Sequence, residues 1–380
     1  MKSVLIIFHG DPLRNPRPNR MIHCLKDEYR VTVIAENNPN FKNVEFFPLI
    51  HFFRNFNSLN LVKKIKLAIL LKLQFFESLL WTKETNQLKE ELMQNSYDLI
   101  ICEDMHFLPL VFSIKKNAKI LVDAQEYYPR WFEDQLGWRF FLQDFYKYIC
   151  AKYLNKCDRV ITVSEGFSQE YYKQYGVKSD IILSLPYYYQ CSPSLINPDN
   201  IKLIFHGGVS PSRKTQLMIE MMDYVDKRFT LDLMLMPNTS RFFRWLRAEA
   251  KSRQNVRIIP PVSFSEIVPF TNKYDIGLFI FPPTNFNIKY TIPNKIFEFI
   301  QARLAVAISP TPGMKKIVDE WDCGIISENF EPESLARKLN KLTVDKIKYY
   351  KEQSDRAAKV LNYETIKPKI KEIVQELIGI

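Results

Sequence analysis

The segment "PNKIFEFIQARLAVAIS", residues 293–309, joins a helical pattern directly to a strand pattern and so indicates the fold class. Pro293 suits the first position of a helix, and the spacing of the apolar residues predicts a helix over Asn294–Ala302. The apolar run Leu304–Ile308 that follows has the length of a buried strand. A helix that leads into a buried strand is the repeating unit of an α/β fold with a parallel sheet.

The same alternation of short apolar runs and longer amphipathic segments extends over the whole chain. Strands are predicted at Val4–Phe8, Val31–Ala35, Leu99–Cys102, Ile120–Val122, Val160–Val163, Ile181–Leu183, Leu203–His206, Leu231–Met236, Val256–Pro260, Ile276–Phe281, Ala305–Ile308 and Gly324–Ile326. Segment 190–200, rich in Pro, Ser and Asn, is interpreted as a linker. We therefore predict two doubly wound, Rossmann-like α/β domains facing a central cleft, at 1–189 and 201–358. The remaining segment, 359–380, is predicted to be a C-terminal helix that packs back toward the first domain.

Composition agrees with two packed domains. A chain of 380 residues exceeds the roughly 100–200 residues of one domain, and its 46% apolar residues suffice for two cores. The six cysteines form no C-x-x-C pair, so neither a zinc site nor a disulfide framework is expected, and a cytoplasmic location is favoured. The apolar run near the N-terminus is too short for a signal peptide, and no run is long enough to span a membrane.

The formal net charge of +11 predicts an anionic partner. A phosphorylated substrate, an anionic membrane surface and nucleic acid all carry such charge. The chain has no RNP-like motif, zinc finger or basic tail, so nucleic acid is not expected. The segment 59–81 alternates lysines with apolar residues, which predicts either an amphipathic helix packed on protein or one that docks on an anionic membrane. If the helix docks on a membrane, the side that remains exposed to the lipid carries Leu67, Leu70, Leu71 and Trp81. The side that packs on the sheet then carries Ile65, Ile69, Leu73 and Phe75.

A candidate phosphate site follows the first strand of the second domain, in "FHGGVSPSRKTQLMIE". Gly207 and Gly208 permit close backbone approach, a helix is expected from near Ser212, and Arg213 and Lys214 add positive charge. Cations at a helix N-terminus oppose the helix dipole, and a bound diphosphate would account for them. The alternative is an ordinary strand-to-helix turn with solvated basic side chains.

Glu298 is a candidate nucleotide ligand, because it is an acid within an apolar helix at the mouth of a predicted sheet. We expect it in the first turn of that helix, where it could accept hydrogen bonds from both ribose hydroxyls of a nucleotide. The alternative is a surface glutamate paired with Lys295 or Arg303.

Three stretches in order, "GGVSPSRK", "YDIGLFIFPP" and "IPNKIFEFIQARLAVAISPTPG", resemble the C-terminal domain of GT-B glycosyltransferases, especially the retaining glycosyltransferase family 4 (glycosyl transferases group 1). The resemblance implies that the second domain binds a nucleotide sugar without a metal and that the first binds the acceptor. It implies that Arg213 and Lys214 hold the donor diphosphate and that Glu298 binds the ribose. The donor-site residues it suggests are Gly10, Gly207, Gly208, Arg213, Lys214, Asn285, Asn294, Lys295 and Glu298.

The chain departs from the family pattern at three positions. Tyr290 stands where the family has the first Glu of its E-x7-E motif, Val209 where it has an arginine, and Gln125 where it has a histidine. The loop Thr284–Thr291 could supply polar substitutes, with Asn285, Asn287 and Lys289 as the candidates. Gln125 cannot titrate, so it could contact a sugar hydroxyl but not exchange a proton with it.

The first domain supplies the predicted acceptor contacts. They are His9, Arg14, Arg17 and Gln125, with Gly10 in the glycine-containing loop after the first strand. Arg14, Arg17 and Arg20 would form a basic rim that either meets a phosphorylated acceptor or is only solvated. His9 and His206, at strand ends, could equally be structural. Catalytic roles are expected for Gln125, Glu126, Arg213 and Lys214.

The resemblance implies a metal-independent hexosyltransferase, with retention expected and a UDP-linked donor. The acceptor would be a glycan or lipid-linked sugar in bacterial cell-surface polysaccharide or lipopolysaccharide synthesis, and the enzyme would be cytoplasmic, with a peripheral position on the inner face of the membrane as one expectation. The departures at Tyr290 and Gln125 keep open a non-catalytic GT-B subunit that binds a sugar or a partner. A nucleotide-sugar epimerase on the same fold is a further alternative, but the sequence shows no pair of acidic residues that could catalyse epimerisation.

Overall fold

The computed structural model describes residues 1–49 and 61–379, and the chain divides into two compact units. Unit 1 comprises Met1–Leu183, Asn285–Asn287 and Lys367–Ile380. Unit 2 comprises Ser184–Thr284 and Ile288–Ile366. The chain thus enters unit 2 before the predicted linker at 190–200, and that segment contains neither helix nor strand.

Unit 1 is built on a parallel sheet of seven strands. The strands are β1 (Ser3–Ile7), β2 (Arg30–Ala35), β3 (Val44–Pro48), β4 (Leu99–Cys102), β5 (Lys119–Ala124), β6 (Arg159–Thr162) and β7 (Asp180–Ile181). The helices are α1 (Pro16–Leu25), α2 (Leu61–Lys72), α3 (Phe76–Leu80), α4 (Lys83–Met93), α5 (Leu108–Ile114), α6 (Leu136–Phe141), α7 (Gln143–Tyr153) and α8 (Glu165–Tyr175). β1 and β4 are buried along their whole length, as expected for strands covered by helices on both faces.

The second sheet has six parallel strands and lies in unit 2. The strands are β8 (Ile201–Gly207), β9 (Phe229–Leu235), β10 (Val256–Ile259), β11 (Ile276–Phe279), β12 (Ala305–Ile308) and β13 (Gly324–Ile326). The helices of the rest of the chain are α9 (Gln216–Met221), α10 (Arg241–Lys251), α11 (Ile267–Thr271), α12 (Phe286–Tyr290), α13 (Asn294–Gln301), α14 (Pro312–Trp321), α15 (Pro332–Asn340), α16 (Val344–Ala358) and α17 (Tyr363–Ile378). α12 and α17 each have residues in both units.

Both sheets have the strand order of dinucleotide-binding folds. The order is β3-β2-β1-β4-β5-β6-β7 in unit 1 and β10-β9-β8-β11-β12-β13 in unit 2. In each sheet the strand sequence reverses direction at one place, between β1 and β4 and between β8 and β11. Ligands of open α/β sheets bind outside the carboxyl ends of the strands at this switch point. The predicted α/β class with two doubly wound sheets is therefore confirmed.

β3 is the one strand of the described sheets that the sequence pattern did not predict. It is the edge strand of its sheet, and its side chains are only partly covered. An edge strand with one open side needs no continuous apolar run, so "VEFFP" carries little strand signal. The predicted loop Thr284–Thr291 also differs, because residues 286–290 form the short helix α12.

The predicted orientation of α2 is wrong for the residues whose side chains the structure describes. Leu71, expected on the exposed side, is buried, whereas Ile65, Ile69 and Leu73, expected to pack on the sheet, are exposed. Phe76 and Leu80 of α3 are buried as expected. The helical pattern alone gave the two faces of the helix but not which of them meets unit 1. Residues 59 and 60 of the segment, and the side chains of Lys63 and Lys64, lie outside the described part.

Within the described residues, none of the helices has the length and hydropathy needed to cross a bilayer.

Candidate functional site

The switch point of the second sheet lies between β8, which ends at Gly207, and β11, which ends at Phe279. Lys295, in the first turn of α13, stands above this point. Its Nζ lies 5.8 Å from the ring centroid of Phe205 on β8 and 5.7 Å from that of Phe279 on β11. One ammonium group is therefore held over both strands that border the expected ligand position.

Gly207 is required for this placement of Lys295. A Cβ atom on Gly207 would lie 2.5 Å from Lys295 Cε and 2.8 Å from Nζ, closer than van der Waals contact allows. The φ angle of Gly207, +139°, is also one that other residues rarely adopt. Gly208 is less constrained, since a Cβ there would lie 3.8 Å from Arg213 Nη1, an ordinary contact distance.

Arg213 is the second cation of this cluster. Burial, and next the charge of Arg213, lower the pKa of Lys295 to about 8, while the carboxylate of Glu298 opposes the shift. Two cations are thus held close enough for one to disfavour the charge of the other. A bound anion would relieve that repulsion, so the cluster is suited to a phosphate group.

The expected helix start near Ser212 is wrong. Residues Pro211–Arg213 form one 3₁₀ turn, and α9 begins only at Gln216. The hydroxyl of Thr284 donates to the carbonyl of Ser212 at 3.2 Å, which ties this turn to the segment after β11. Lys214 ends the turn with φ +51° and is exposed. Any phosphate bound here would be held by side-chain cations rather than by the N-terminus of a long helix.

Glu298 lies deeper than the sequence suggested. Pro293 is the N-cap residue of α13, which begins at Asn294, and Glu298 lies beyond the first turn of this helix, in the second. Its side chain is buried, and Arg303 instead binds Asp355 and the backbone carbonyl of Tyr189, which excludes the alternative of a surface ion pair with Arg303. Asn294, the first residue of α13, is partly exposed beside Lys295.

His206 is the neighbour of Glu298 that the sequence did not reveal. Its Nε2 atom lies 3.4 Å from Glu298 Oε2. Burial, followed by the charge of Lys295, lowers the pKa of His206 to about 3, so the imidazole is neutral at pH 7. A neutral imidazole adds no positive charge beside Glu298, whose carboxylate raises the pKa of Lys295.

At the switch point of the first sheet, a hydrogen bond joins the segments that follow the two bordering strands, β1 and β4. The backbone N–H of His9, after β1, donates to Asp104 Oδ2, after β4, at 2.7 Å. The His9 side chain is half exposed and its Nε2 lies 3.2 Å from Glu36 Oε1. Gly10 follows with φ +114°, a backbone conformation that requires glycine, and its carbonyl accepts from the N–H of Glu36.

Gln125 lies beside a buried carboxyl group that the sequence reading did not consider. Its Nε2 donates to Glu103 Oε2 at 3.0 Å, and this bond directs the amide nitrogen inward. Burial, and next the charge of Asp123, raise the pKa of Glu103 well above its usual value. Gln125 and Glu126 are both partly exposed, and the backbone carbonyl of Glu126 accepts from the Tyr171 hydroxyl at 2.7 Å.

Of the three arginines predicted to form a basic rim, only Arg14 is exposed. Arg17 is buried and makes two bonds to Asp123, from Nε at 2.6 Å and from Nη2 at 2.9 Å. Its Nη1 donates to the carbonyl of Ile182 at 2.7 Å, and both of these partners belong to unit 1. Arg20 is buried as well. Arg17 therefore supports the ends of β5 and β7.

The polar residues of the loop Thr284–Thr291 that could substitute for the missing family residues make other contacts. Asn285 belongs to unit 1 and donates to Asp134 Oδ1 at 2.8 Å. Asn287 uses both ends of its amide on the backbone of Tyr127, at 2.7 Å and 3.0 Å. Lys289 is exposed and lies above the ring of Tyr290. Lys295 and Arg213 are the cations that lie close to Gly207 and Gly208, the two residues before Val209.

Comparison with known proteins finds a family match within the second half of the chain. Residues 200–345 match the family model described as Glycosyl transferases group 1. No curated protein matches the chain. The predicted resemblance to that family is confirmed for this domain, which contains the whole cation cluster.

Solved structures share the fold over nearly the whole chain. A glycosyltransferase from Rickettsia africae superposes with a TM-score of 0.69 at 14% identity, covering 99% of this chain and 98% of that one. Anabaena Alr3699/HepE, in complex with UDP and glucose, gives 0.69 at 13% identity, covering 99% and 100%. WaaG, a glycosyltransferase involved in lipopolysaccharide biosynthesis, gives 0.67 at 14%, covering 98% and 99%. The chain therefore has the GT-B fold, as the sequence resemblance predicted.

The buried pair of Arg17 and Asp123 generates a stability prediction. Replacing Arg17 with Met leaves the fully buried Asp123 carboxylate without its counter-charge, which should lower the free energy of unfolding by about 3–5 kcal/mol. Urea denaturation followed by far-UV circular dichroism measures the change. The control Arg14→Met, at an exposed site, should leave the unfolding curve unchanged. Equal stability of the two variants would mean that Asp123 is uncharged in the folded protein.

Proposed function

We propose that this protein is a hexosyltransferase that moves a sugar from a nucleotide-sugar donor, UDP-linked, to a glycan or lipid-linked acceptor. The observation that carries the proposal is the cation cluster of unit 2, in which Lys295 lies over Gly207 at the switch point with Arg213 and Glu298 as neighbours. The match of residues 200–345 to Glycosyl transferases group 1 supports it. Similar structures support a uridine donor, since Alr3699/HepE was solved with UDP and with UDP-glucose.

In this proposal the diphosphate of the donor binds against Lys295 and Arg213, with Lys214 at the exposed rim. The anomeric carbon–oxygen bond to the diphosphate breaks, a bond to the acceptor oxygen forms, and the proton of the acceptor hydroxyl leaves on the diphosphate. Negative charge grows on the departing oxygen, and cations fixed in place before the reaction lower that barrier. The side chains present thus supply the charge stabilisation for which other transferases use a metal ion.

Glu298 holds the donor ribose in this account. A buried carboxylate makes strong hydrogen bonds to hydroxyl groups, and the neutral His206 beside it does not neutralise its charge. Asn294, Gly207 and Gly208 complete the donor site, because they border Lys295 in sequence or in space. Gly10 remains a proposed donor contact from unit 1.

The acceptor residues belong to unit 1. Gln125 is the proposed contact for the acceptor hydroxyl, because the bond from its Nε2 to Glu103 leaves its Oε1 to accept. Glu126, His9 and Arg14 are the proposed neighbours, since each is at least partly exposed near the switch point. Arg17 acts on this site only by positioning the strand ends. Gln125 cannot take up a proton, which agrees with a mechanism in which the diphosphate accepts it.

The proposed setting is the cytoplasm of a bacterium, in the assembly of cell-surface polysaccharide or lipopolysaccharide. The six cysteines are free thiols, which fits a reducing compartment. WaaG provides an example of the same fold in lipopolysaccharide biosynthesis. Retention at the anomeric carbon is proposed from the resemblance to family 4.

Turnover of nucleotide sugars tests the proposal directly. The protein is incubated with UDP-, GDP- and ADP-linked hexoses, with and without EDTA, and the released nucleoside diphosphate is measured. UDP-linked donors should be turned over, and EDTA should not abolish the reaction. Binding of UDP without turnover of any donor would favour the non-catalytic subunit instead, and neither binding nor turnover would contradict both.

The pKa of Lys295 predicts that UDP binding depends on pH. Lys295 is charged below pH 8 and neutral above it, so UDP affinity should fall between pH 7 and about 9.5. Lys295→Met should weaken binding at pH 7 by about 1.5–3 kcal/mol and remove this dependence. Isothermal titration calorimetry measures both, with Lys289→Met as the control that should bind like wild type. A wild-type affinity that is constant over this range would contradict the role of Lys295.

The proposed role of Glu298 is tested with a ligand that lacks the ribose 2′-hydroxyl, the group that Glu298 would bind. The wild type should bind UDP about 1.5–3 kcal/mol more tightly than 2′-deoxy-UDP, the range for a hydrogen bond to a charged group. Glu298→Ala should bind the two ligands equally, with far-UV circular dichroism confirming its fold. If the variant still discriminates between them as wild type does, another group recognises the ribose.

A further inference from the structure

Unit 1 exposes a cluster of large apolar side chains on α2, on the residues that directly follow α2, and on α6. The cluster, here called the α2–α6 patch, consists of Ile65, Ile69, Leu73, Phe75, Leu136 and Phe140, each more than half exposed. Ile65, Ile69 and Leu73 recur every fourth residue and so form one stripe along α2. α2 and α6 contact each other, so the side chains of both helices belong to one surface. Soluble monomers seldom leave such a contiguous apolar surface uncovered, which indicates an occupant.

Positive charge surrounds the patch. Lys72 Nζ lies 4.0 Å from the ring centroid of Phe140, so an ammonium group is bound within the patch itself. Lys66 on α2 and Arg139 on α6 are exposed beside it. Neither helix contains an acidic residue. Within the part of the chain that the structure describes, none of these three cations takes part in an ion pair.

The acidic residue that follows α2 is already occupied. Glu77 is bonded to Lys152, to the Tyr148 hydroxyl and to Trp81 Nε1. Burial raises the pKa of Glu77, but these hydrogen bonds outweigh that effect and lower the pKa. Glu77 is therefore an ionised carboxylate that is already paired. The charges carried by α2 and α6 themselves are all positive, and their complement is a surface with uniform negative charge and an apolar interior.

We propose that the α2–α6 patch docks unit 1 on a bilayer that contains anionic lipids. Lys66, Lys72 and Arg139 attract the lipid headgroups, and the apolar side chains enter the boundary between headgroups and acyl chains. The residues that enter the bilayer are Ile65, Ile69, Leu73, Phe75, Leu136 and Phe140, not the opposite side of α2 that the sequence pattern favoured. This surface is separate from the donor cluster in unit 2 and does not depend on the proposed activity.

The test is co-sedimentation of the full chain with vesicles of phosphatidylcholine alone and of phosphatidylcholine mixed with phosphatidylglycerol, at low and physiological salt. Wild type should bind the anionic vesicles and not the neutral ones. Ile69→Ser with Phe140→Ser removes apolar contact, and Lys66→Glu with Lys72→Glu reverses charge. Each double variant should lower the partition coefficient on anionic vesicles about tenfold or more.

A matched control separates the patch from the overall positive charge of the chain. Lys227→Glu with Lys251→Glu makes the same change of net charge at exposed sites of unit 2, and it should change partitioning by less than about twofold. UDP affinity should be the same in all three double variants, which distinguishes a failure of this proposal from a failure of the proposed donor site.

Three results would overturn the proposal. The first is wild-type protein that stays in the supernatant with anionic vesicles at low salt. The second is a loss of binding in the unit 2 control as large as in Lys66→Glu with Lys72→Glu. The third is a wild-type dimer, seen by sedimentation velocity, that becomes a monomer in Ile69→Ser with Phe140→Ser, because a second copy would then cover the patch.

Discussion

The placement of one ammonium group determines how the rest of the donor site is built. Lys295 lies over the rings of Phe205 and Phe279 and across the bare backbone of Gly207. Burial and the charge of Arg213 disfavour the charged form of Lys295, whereas the carboxylate of Glu298 favours it. An arrangement of this kind stores unfavourable electrostatic energy that a diphosphate would release. The sheet order, the glycine and the helix start at Asn294 all contribute to holding Lys295 in that position.

Two of the departures from the family pattern can be related to neighbouring side chains in this structure. Val209 removes an arginine from the loop after β8, and Lys295 places a different cation close to the same loop. Gln125 stands in place of a titratable histidine in unit 1, and its amide nitrogen donates to Glu103, a carboxyl group whose pKa burial raises. The side chains at these positions thus differ from those expected from the family, while the order of the strands in the two sheets is retained.

Much of the fold followed from the sequence because parallel strands buried on both faces have continuous apolar runs. β4, β12 and β13 begin and end at the predicted residues. β3 was not predicted, because an edge strand is partly exposed and its sequence pattern resembles that of a loop. The face of α2 was also misjudged, since an amphipathic pattern gives two faces but tertiary packing decides which one is covered.

The candidate site was only partly accessible to sequence reasoning. Gly207, Gly208 and Arg213 lie in one short stretch and Glu298 in another, and both stretches resemble family motifs, so these residues could be named. The burial of Arg17 against Asp123 and the approach of His206 to Glu298 join residues about a hundred positions apart. Such pairings are produced by the packing of helices on the sheets, which no local pattern records. Asn285 shows the same limit, because its neighbour in unit 1 is Asp134.

A crystal structure of the protein with UDP bound tests the central claim most directly. The account predicts that the diphosphate contacts Lys295 Nζ and the guanidinium of Arg213 above Gly207, with the ribose hydroxyls on the carboxylate of Glu298. A diphosphate bound elsewhere, with Lys295 still directed at the rings of Phe205 and Phe279 and no phosphate oxygen near it, would contradict the account.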